Sequence, residues 1–159
     1  MTTSEHEPDV VSVERVIAAT PEAIFAVISD PRRHRDFDGS GTVRDAKNVP
    51  DTLTLGAKFG MNMHLAVPYS MVSTVIEYDE NRRLAWQTLP PYSFANKLAG
   101  GRIWRYELEP VEGGTLVRES WDISKESPLT KPVVRRAAAV TRKNMAATLE
   151  RLDTLLAGS

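Results

Sequence analysis

The fold is decided by residues 103–123, which read IWRYELEPVEGGTLVRESWDI. Apolar and charged residues alternate on both sides of a compact polar turn at Glu112-Gly113-Gly114. A period of two is typical of β-strands that bury only one face. The stretch therefore predicts two antiparallel strands joined by a short turn.

The same period recurs over most of the chain. It predicts five further strands, at residues 10–17, 42–47, 59–65, 72–78 and 84–88. The turns between neighbouring strands, such as Asp79-Glu80-Asn81-Arg82, are too short to contain the crossover helices that parallel strands require. The sequence therefore predicts a seven-stranded antiparallel meander.

Helical signals stand at the two ends of the sheet region. Thr20 suits the cap and Pro21 the first position of a short helix, and Pro31–Phe37 predicts a second short helix. Apolar residues then recur at helical spacing over Thr130–Leu156, with Thr130 as the expected cap. At 1.5 Å per residue this last helix would be about 40 Å long, so we expect it to lie along the concave face of a curved sheet. The predicted fold class is α+β.

Composition limits the kind of protein. The 159 residues predict one domain at residues 10–157, after a disordered tail at 1–9. A net charge of −1 gives no field that would attract nucleic acid or an anionic membrane. Apolar runs are too short to span a bilayer, so neither nucleic-acid binding nor stable membrane insertion is expected.

The residues that usually hold cofactors are missing or scattered. Cysteine is absent, which excludes thiolate chemistry and fits a reducing compartment, so we expect a cytoplasmic protein. His6, His34 and His64 form no metal-binding motif, and no glycine-rich loop has the context of a phosphate site. The sequence therefore predicts no metal and no other cofactor.

Large apolar residues share the strand parity that faces the helix, and the helix offers small residues opposite them. This arrangement predicts an internal cavity for a hydrophobic small molecule, lined by Phe25, Met61, Met63, Trp86, Trp104, Tyr106, Glu119, Trp121, Ala138, Thr141 and Met145. A tight two-layer core would instead place Leu or Ile on the helix. The alternative is close packing, in which the tryptophan rings fill the gap left by alanine.

Glu119 is the polar residue that stands out on this inner face. A buried carboxylate needs a partner or a raised pKa, so Glu119 is a candidate for fixing the polar end of a ligand or for acid–base chemistry. Tyr106 is the expected partner and the second catalytic candidate. The alternative is that a bulge turns Glu119 toward solvent.

Aromatic residues occur in connections that a meander brings to one end of the sheet. Tyr69 stands in the predicted turn at residues 66–69, and Tyr92 and Phe94 stand in the longer segment at 89–101. Aromatic loops grouped in this way are typical of a mouth with a lid, so these three residues are predicted entrance residues. The alternative is that Tyr92 and Phe94 fill a small core.

Several stretches resemble the START-like or SRPBCC superfamily, in its polyketide cyclase/dehydrase-like branch. They are TPEAIF at 20–25, LGAKF at 55–59, VIEYD at 75–79, RLAW at 83–86 and TLERL at 148–152. The resemblance covers about residues 10–156. It implies the helix-grip fold of Bet v 1-like proteins around an apolar cavity, but its members differ widely in activity and transfer no catalytic motif to this chain.

Three functions are therefore compared. The first is binding or transport of a lipid, polyketide or similar hydrophobic molecule by a monomer or homodimer. The second is a polyketide cyclase or dehydratase in which Glu119 or Tyr106 moves protons in the same cavity. The third is a co-chaperone-like interaction module with a collapsed cavity. The first is preferred because no firmer catalytic set is found.

Overall fold

The computed structural model of the protein describes residues 9–50, 53–89 and 101–157. Its seven strands form one curved antiparallel sheet in the order β1-β7-β6-β5-β4-β3-β2, which confirms the predicted meander. The strands are β1 Val10–Ile17, β2 Val43–Lys47, β3 Lys58–Leu65, β4 Val67–Asp79, β5 Arg83–Leu89, β6 Arg102–Val111 and β7 Gly114–Asp122.

The helices of the first half begin where the sequence places their caps. Helix α1 spans Pro21–Ile28, and its Thr20 cap accepts a hydrogen bond from the Ala23 amide at 3.2 Å. A 3₁₀ turn at Pro31–Arg33 leads directly into the short helix α2, His34–Phe37. Side-chain capping satisfies an amide that lacks a partner within the helix, which explains why the chain turns helical at Thr20.

The C-terminal helix was predicted as one element over Thr130–Leu156, and this was wrong in detail. It consists of α3, Lys131–Arg135, and α4, Ala138–Ala157. Between them the amides of Arg136 and Ala137 bond to carbonyls three residues back, at 3.2 and 3.0 Å, instead of four. This local tightening separates the two helices.

Thr130 occupies the predicted cap position before α3, but its side chain makes no capping hydrogen bond. Its hydroxyl donates instead to the Glu126 carboxylate at 3.2 Å. Helix α4 packs against β1, β7 and α2, and so covers the concave face of the sheet.

The predicted turn at residues 66–69 is also corrected. The chain reverses at Ala66, whose φ of 61° lies in the left-handed region, and β4 already begins at Val67. Tyr69 is therefore a strand residue paired with Met63, and not part of a loop. Tyr92 and Phe94 lie outside the described residues.

The turn between β6 and β7 fixes the register of the neighbouring edge strand. Gly114 has a φ of 154°, and a Cβ atom there would lie 2.0 Å from the Ile17 carbonyl oxygen. Only glycine allows this close approach. At the other end of β1, Asp9 is held in place, since its carboxylate accepts a hydrogen bond from Arg135 Nη2 at 2.7 Å.

The buried apolar side chains fall into two groups. The larger group joins α1, α2, β3 to β7 and the second half of α4, with Phe59, Leu84, Val117, Leu149 and Leu152 among its members. The smaller group consists of Val11, Trp121, Ile123, Val134, Ala138 and Met145. Val13 and Trp104 pack against both groups, so the boundary between them lies over the middle of β1 and the first part of β6.

Candidate ligand site on the inner face of the sheet

Two rows of side chains cross the inner face at right angles to the strands. In the first row, Trp86 on β5 pairs with Trp104 on β6, which pairs with Trp121 on β7. In the second row, Tyr106 pairs with Glu119. Residues paired in this way have neighbouring side chains on one face of the sheet. The antiparallel register therefore brings an acid and a phenol together beside three indole rings.

The predicted cavity residues are divided between the two core groups. Phe25, Met61, Trp86 and Tyr106 belong to the larger group, with Met63 and Trp104 partly buried beside it. The smaller group contains Trp121, Ala138 and Met145. Glu119 is buried opposite Val13, at the boundary, and Thr141 is half-buried and belongs to neither group.

Glu119 is 4% exposed and lies on the inward face, so the predicted bulge alternative does not apply. Burial raises its pKa to about 8, since desolvation disfavours the charged carboxylate. A hydrogen bond from Tyr106 works in the opposite direction, and the negative charge of Asp38 adds to the increase. At neutral pH the carboxyl is therefore mostly protonated.

Glu119 Oε2 is buried and makes no hydrogen bond to any residue that the structure describes. The pKa of Tyr106 is raised well above its ordinary value, first by burial and then by Glu119, so the phenol keeps its proton and can donate. The pair therefore leaves one polar position open in apolar surroundings.

Asp38 is brought near this pair by the connection between α2 and β2. Its carboxylate accepts hydrogen bonds from the Ser40 amide and hydroxyl, at 3.0 and 2.7 Å, which hold the turn. The next residue, Gly39, rests on α4, and a Cβ there would lie 2.3 Å from the Asn144 carbonyl oxygen. Its amide donates to Thr148 Oγ1 at 2.9 Å. The turn is thus fixed to the helix.

His34 belongs to the same face, although it is not among the predicted cavity residues. Its ring stacks on Trp86 with centroids 5.0 Å apart, and Trp86 in turn lies 5.8 Å from Tyr106. Its Nε2 donates to the Ile28 carbonyl at 2.9 Å, and burial lowers the pKa of the imidazole, which favours the neutral ring. The missed signal is the spacing of Pro31, His34 and Phe37, all buried on one helical face.

A separate cleft of about 490 Å³ opens at the end of the sheet where β4 turns into β5. It lies between α1 and the short turn that joins β4 to β5. Of the predicted cavity residues, Phe25 alone lines it; the other lining residues are Glu22, Ala26, Ser29, Asp30, Pro31, Arg32, Pro50, Leu53, Tyr78, Glu80 and Asn81. The structure thus places this cleft apart from Glu119.

The described residues offer no metal site, since no group of three or more His, Asp or Glu side chains among them is arranged to hold an ion. Within 9–50, 53–89 and 101–157, no helix is long and apolar enough to cross a bilayer.

A curved antiparallel sheet wrapped around a C-terminal helix, with aromatic side chains on its inner face, defines a helix-grip protein. The chain belongs to the family described as polyketide cyclase / dehydrase and lipid transport, whose family model matches residues 8–157. The resemblance seen in the sequence is thereby confirmed.

Individual relatives support the fold more than an activity. The uncharacterized protein Rv0088 of Mycobacterium tuberculosis is 38% identical over 117 residues, which are 72% of this chain and 48% of that protein. The chain thus spans about half the length of the curated relatives it matches. A protein from Arthrobacter aurescens, solved by NMR, has 17% identity and a TM-score of 0.71, over 94% of this chain and 87% of the other.

A third similar structure is DynU16, described as a putative protein in the dynemicin biosynthetic locus. It has 14% identity and a TM-score of 0.66, over 94% of this chain and 47% of the other. Likeness at this level of identity shows the fold alone.

Proposed function

We propose that the protein binds a hydrophobic small molecule non-covalently between the sheet and α4, with Glu119 holding a polar group of that molecule. The proposed ligand lies against the tryptophan row and reaches the boundary between the two core groups. Its class is a lipid, polyketide or similar molecule that has an apolar body and a carbonyl or hydroxyl group.

The observation that carries the proposal is the unpartnered Oε2 of Glu119. A buried polar atom without a hydrogen bond costs about 1–3 kcal/mol, and a ligand that supplies the missing partner recovers this free energy. A protonated carboxyl can both donate and accept, so it can bind a carbonyl or a hydroxyl group. The neighbouring Tyr106 phenol keeps the carboxyl oriented.

The surroundings of Glu119 suit an apolar ligand body. Val117 and Trp121 stand on either side of it on the inner face of β7, and both are almost completely buried. Burying ten methylene groups contributes about 8 kcal/mol gross, against an association cost of roughly 4 to 15 kcal/mol. Useful affinity therefore requires inner-face side chains that are already positioned before the ligand arrives.

The family and a structurally similar protein support the ligand class without naming a ligand. The family is described by polyketide chemistry and by lipid transport together. DynU16 is described by its place in a biosynthetic locus. Both descriptions concern other proteins, and the transfer to this chain is part of the proposal.

A cyclase or dehydratase is the second candidate, and the protonation state of Glu119 favours it. A pKa of about 8 lies close to neutrality, where a general acid or base works best. Tyr106 would then assist by passing or holding a proton at the carboxyl. This enzyme would fold its substrate on the same inner face, so binding alone does not separate the two functions.

Native mass spectrometry of protein purified from its own host tests the proposal. We expect an additional mass that disappears on organic extraction and that belongs to an apolar compound with an oxygen group. Incubation of the recovered compound with fresh protein then separates carrier from enzyme, because a carrier returns it unchanged. A product that forms with wild type and not with Glu119→Gln would establish the enzyme instead.

The variant Glu119→Gln measures how much the carboxyl contributes. It keeps shape and most hydrogen bonds, so we expect the affinity for the recovered compound to change by no more than about tenfold. Glu109→Gln, on the exposed part of β6, is the matched control and should leave the affinity unchanged. If the host protein carries no compound and no apolar probe binds, the proposal fails and an interaction module becomes the better explanation.

A further inference from the structure

Exposed apolar side chains are concentrated at one end of the sheet. This end, which we call the α3 end, is where β1 begins, where β3, β5 and β7 finish, and where the chain leads into α3. Nine large hydrophobic side chains among the described residues are exposed, and only Val16 and Leu55 lie at the opposite end. The other seven are Val10, Leu65, Val67, Tyr69, Leu129, Val133 and Val140. On the surface of soluble proteins such residues usually occur singly, so a group of them at one end indicates an interaction site.

The α3 end is also strongly basic, which the net charge of −1 conceals. Residues 123–143 contain six lysines and arginines and a single acid, Glu126. Glu126 is buried and lies 3.3 Å from Arg102. Farther along the sheet, the segment 53–76, which includes the exposed β3–β4 hairpin tip, has no acidic residue. Leu129, Val133 and Val140 therefore stand in a positive local field, and the hairpin segment adds no negative charge to it.

Not all of these cations are engaged elsewhere. The Asp9 carboxylate forms ion pairs with Lys131 Nζ at 3.4 Å and with Arg135 Nη2 at 2.7 Å. Lys125, Arg136, Arg142 and Lys143 are exposed, and they form no ion pair with any residue that the structure describes. Four cationic side chains at the α3 end thus remain available to a negatively charged partner.

Exposed cationic and apolar side chains alternate along α3, the turn that follows it and the start of α4. Val133, Arg136, Val140 and Lys143 follow one another at spacings of three and four, and all four are exposed. This is the pattern of helices that lie in the plane of a membrane interface, with apolar residues among the acyl chains and cations at the headgroups. Tyr69 lies near the hairpin tip, and tyrosine is enriched at the membrane–water interface.

We propose that the α3 end is a docking surface for an anionic lipid membrane. A second copy of the chain is a poor occupant, because the pairing would bring the unpaired cations of two α3 ends together. An anionic membrane complements the charge and accepts single projecting apolar side chains without a matching groove. The contact is peripheral and reversible, and it does not rest on the inner-face ligand, although a lipid carrier would load and unload there.

Vesicle co-sedimentation tests the surface with the full chain. We expect wild type to sediment with vesicles of equimolar phosphatidylcholine and phosphatidylglycerol, and not with phosphatidylcholine alone. The binding should weaken as salt is added, because screening reduces the attraction. Equal binding to both vesicle types, or to neither, would overturn the proposal.

Charge reversal locates the contact. Arg142→Glu with Lys143→Glu should reduce binding by about 30-fold or more, since each basic residue near an anionic surface contributes about fivefold. Lys58→Glu with Arg82→Glu makes the same change in net charge on exposed residues at the opposite end, and should stay within about twofold of wild type. Equal losses in both variants would show that net charge matters and the α3 end does not.

The apolar contribution has its own matched pair. Leu129→Ser should weaken vesicle binding several-fold, whereas Leu55→Ser, at a similarly exposed leucine of the opposite end, should not. Two further results would contradict a lipid partner. One is a dimer in solution that Val133→Ser dissociates, and the other is binding to polyglutamate with no binding to the anionic vesicles. Glu119→Gln should bind vesicles like wild type, because Glu119 does not lie on the α3 end. A negative result for membrane binding would therefore leave the inner-face proposal intact.

Discussion

The two faces of the central strands differ in the partners that surround their ionisable side chains. On the outer face, Arg105 donates through Nε to Glu77 at 2.9 Å and lies 3.7 Å from Asp122. On the inner face, Glu119 stands only three residues before Asp122 on the same strand, yet no cation among the described residues forms an ion pair with it. The neighbouring residue in β6 decides the difference, since Arg105 points outward and Tyr106 inward.

This comparison indicates what each face is built to do. On the outer face, the hydrogen bonds that Arg105 donates to Glu77 stabilise the sheet and raise the pKa of the guanidinium. The Glu119 carboxyl is instead mostly protonated at neutral pH, because the Tyr106 phenol stabilises a carboxylate less than a guanidinium does. A polar group that is neutral and incompletely bonded is one that a ligand can use.

The largest effect should appear in the pH dependence of stability. Between pH 4.5 and about 8 the folded protein holds a proton on Glu119 that the unfolded chain has lost. The free energy of unfolding should therefore fall as pH rises through this window, and level off outside it. Each unit of pKa difference corresponds to about 1.4 kcal/mol, so the total is several kcal/mol. Urea unfolding across this pH range measures it.

Glu119→Gln is the variant for this measurement. It cannot ionise, so we expect it to lose the pH dependence and to exceed wild type in stability above pH 8. Glu109→Gln should keep the wild-type profile. Parallel profiles for wild type and Glu119→Gln would show that Glu119 is charged in the folded protein.

The next effect concerns space on the inner face. Ala138→Trp should keep the fold and reduce the affinity for an apolar fluorescent probe by about tenfold or more, because the indole occupies the region where the ligand lies. A fully packed core would instead lose about 1–3 kcal/mol of stability to overpacking. Ala139→Trp, at the adjacent exposed position, is the control. Equal probe affinity in the two variants would place the ligand elsewhere.

A smaller effect is expected on the outer face. Glu77→Gln removes the charged partner of Arg105, which is 20% exposed, and should lower the unfolding free energy by about 1–2 kcal/mol. The loss should be the same at pH 6 and pH 9, in contrast to Glu119→Gln. Glu107→Gln is the control, because its partner Arg83 is about half exposed and such pairs contribute at most about 1 kcal/mol. A pH-dependent loss in Glu77→Gln would remove the contrast between the faces.

The smallest effect concerns Asp38. Its negative charge is the last of the causes that act on Glu119, so Asp38→Asn should lower the pKa of Glu119 only slightly. Asparagine Oδ1 can still accept the two hydrogen bonds from Ser40, and only the bond from the Val43 amide to Oδ2 is lost. An NMR titration of the labelled carboxyl carbon detects the shift, and an increase would contradict the charge arrangement described for this site.

The sequence predicts the sheet well because its signals are local. The alternation on either side of Gly113-Gly114 sets the parity of both strands, and together with the register of the short turn it places Glu119 beside Tyr106. His34 could not be found from local signals alone, because its burial depends on packing against Trp86, far along the chain. The division of the inner face into two groups likewise results from tertiary packing.

The most direct test of the account is the titration of Glu119 in the wild-type protein. Carbon-13 labelling of the glutamate carboxyls, with assignment by comparison to Glu119→Gln, isolates its signal in an NMR titration. We predict a midpoint at about pH 8 and an uncharged carboxyl at neutral pH. A midpoint near the ordinary glutamate value of 4.5 would show that Glu119 is a charged, satisfied side chain, and would contradict its role as the open polar position of a ligand site.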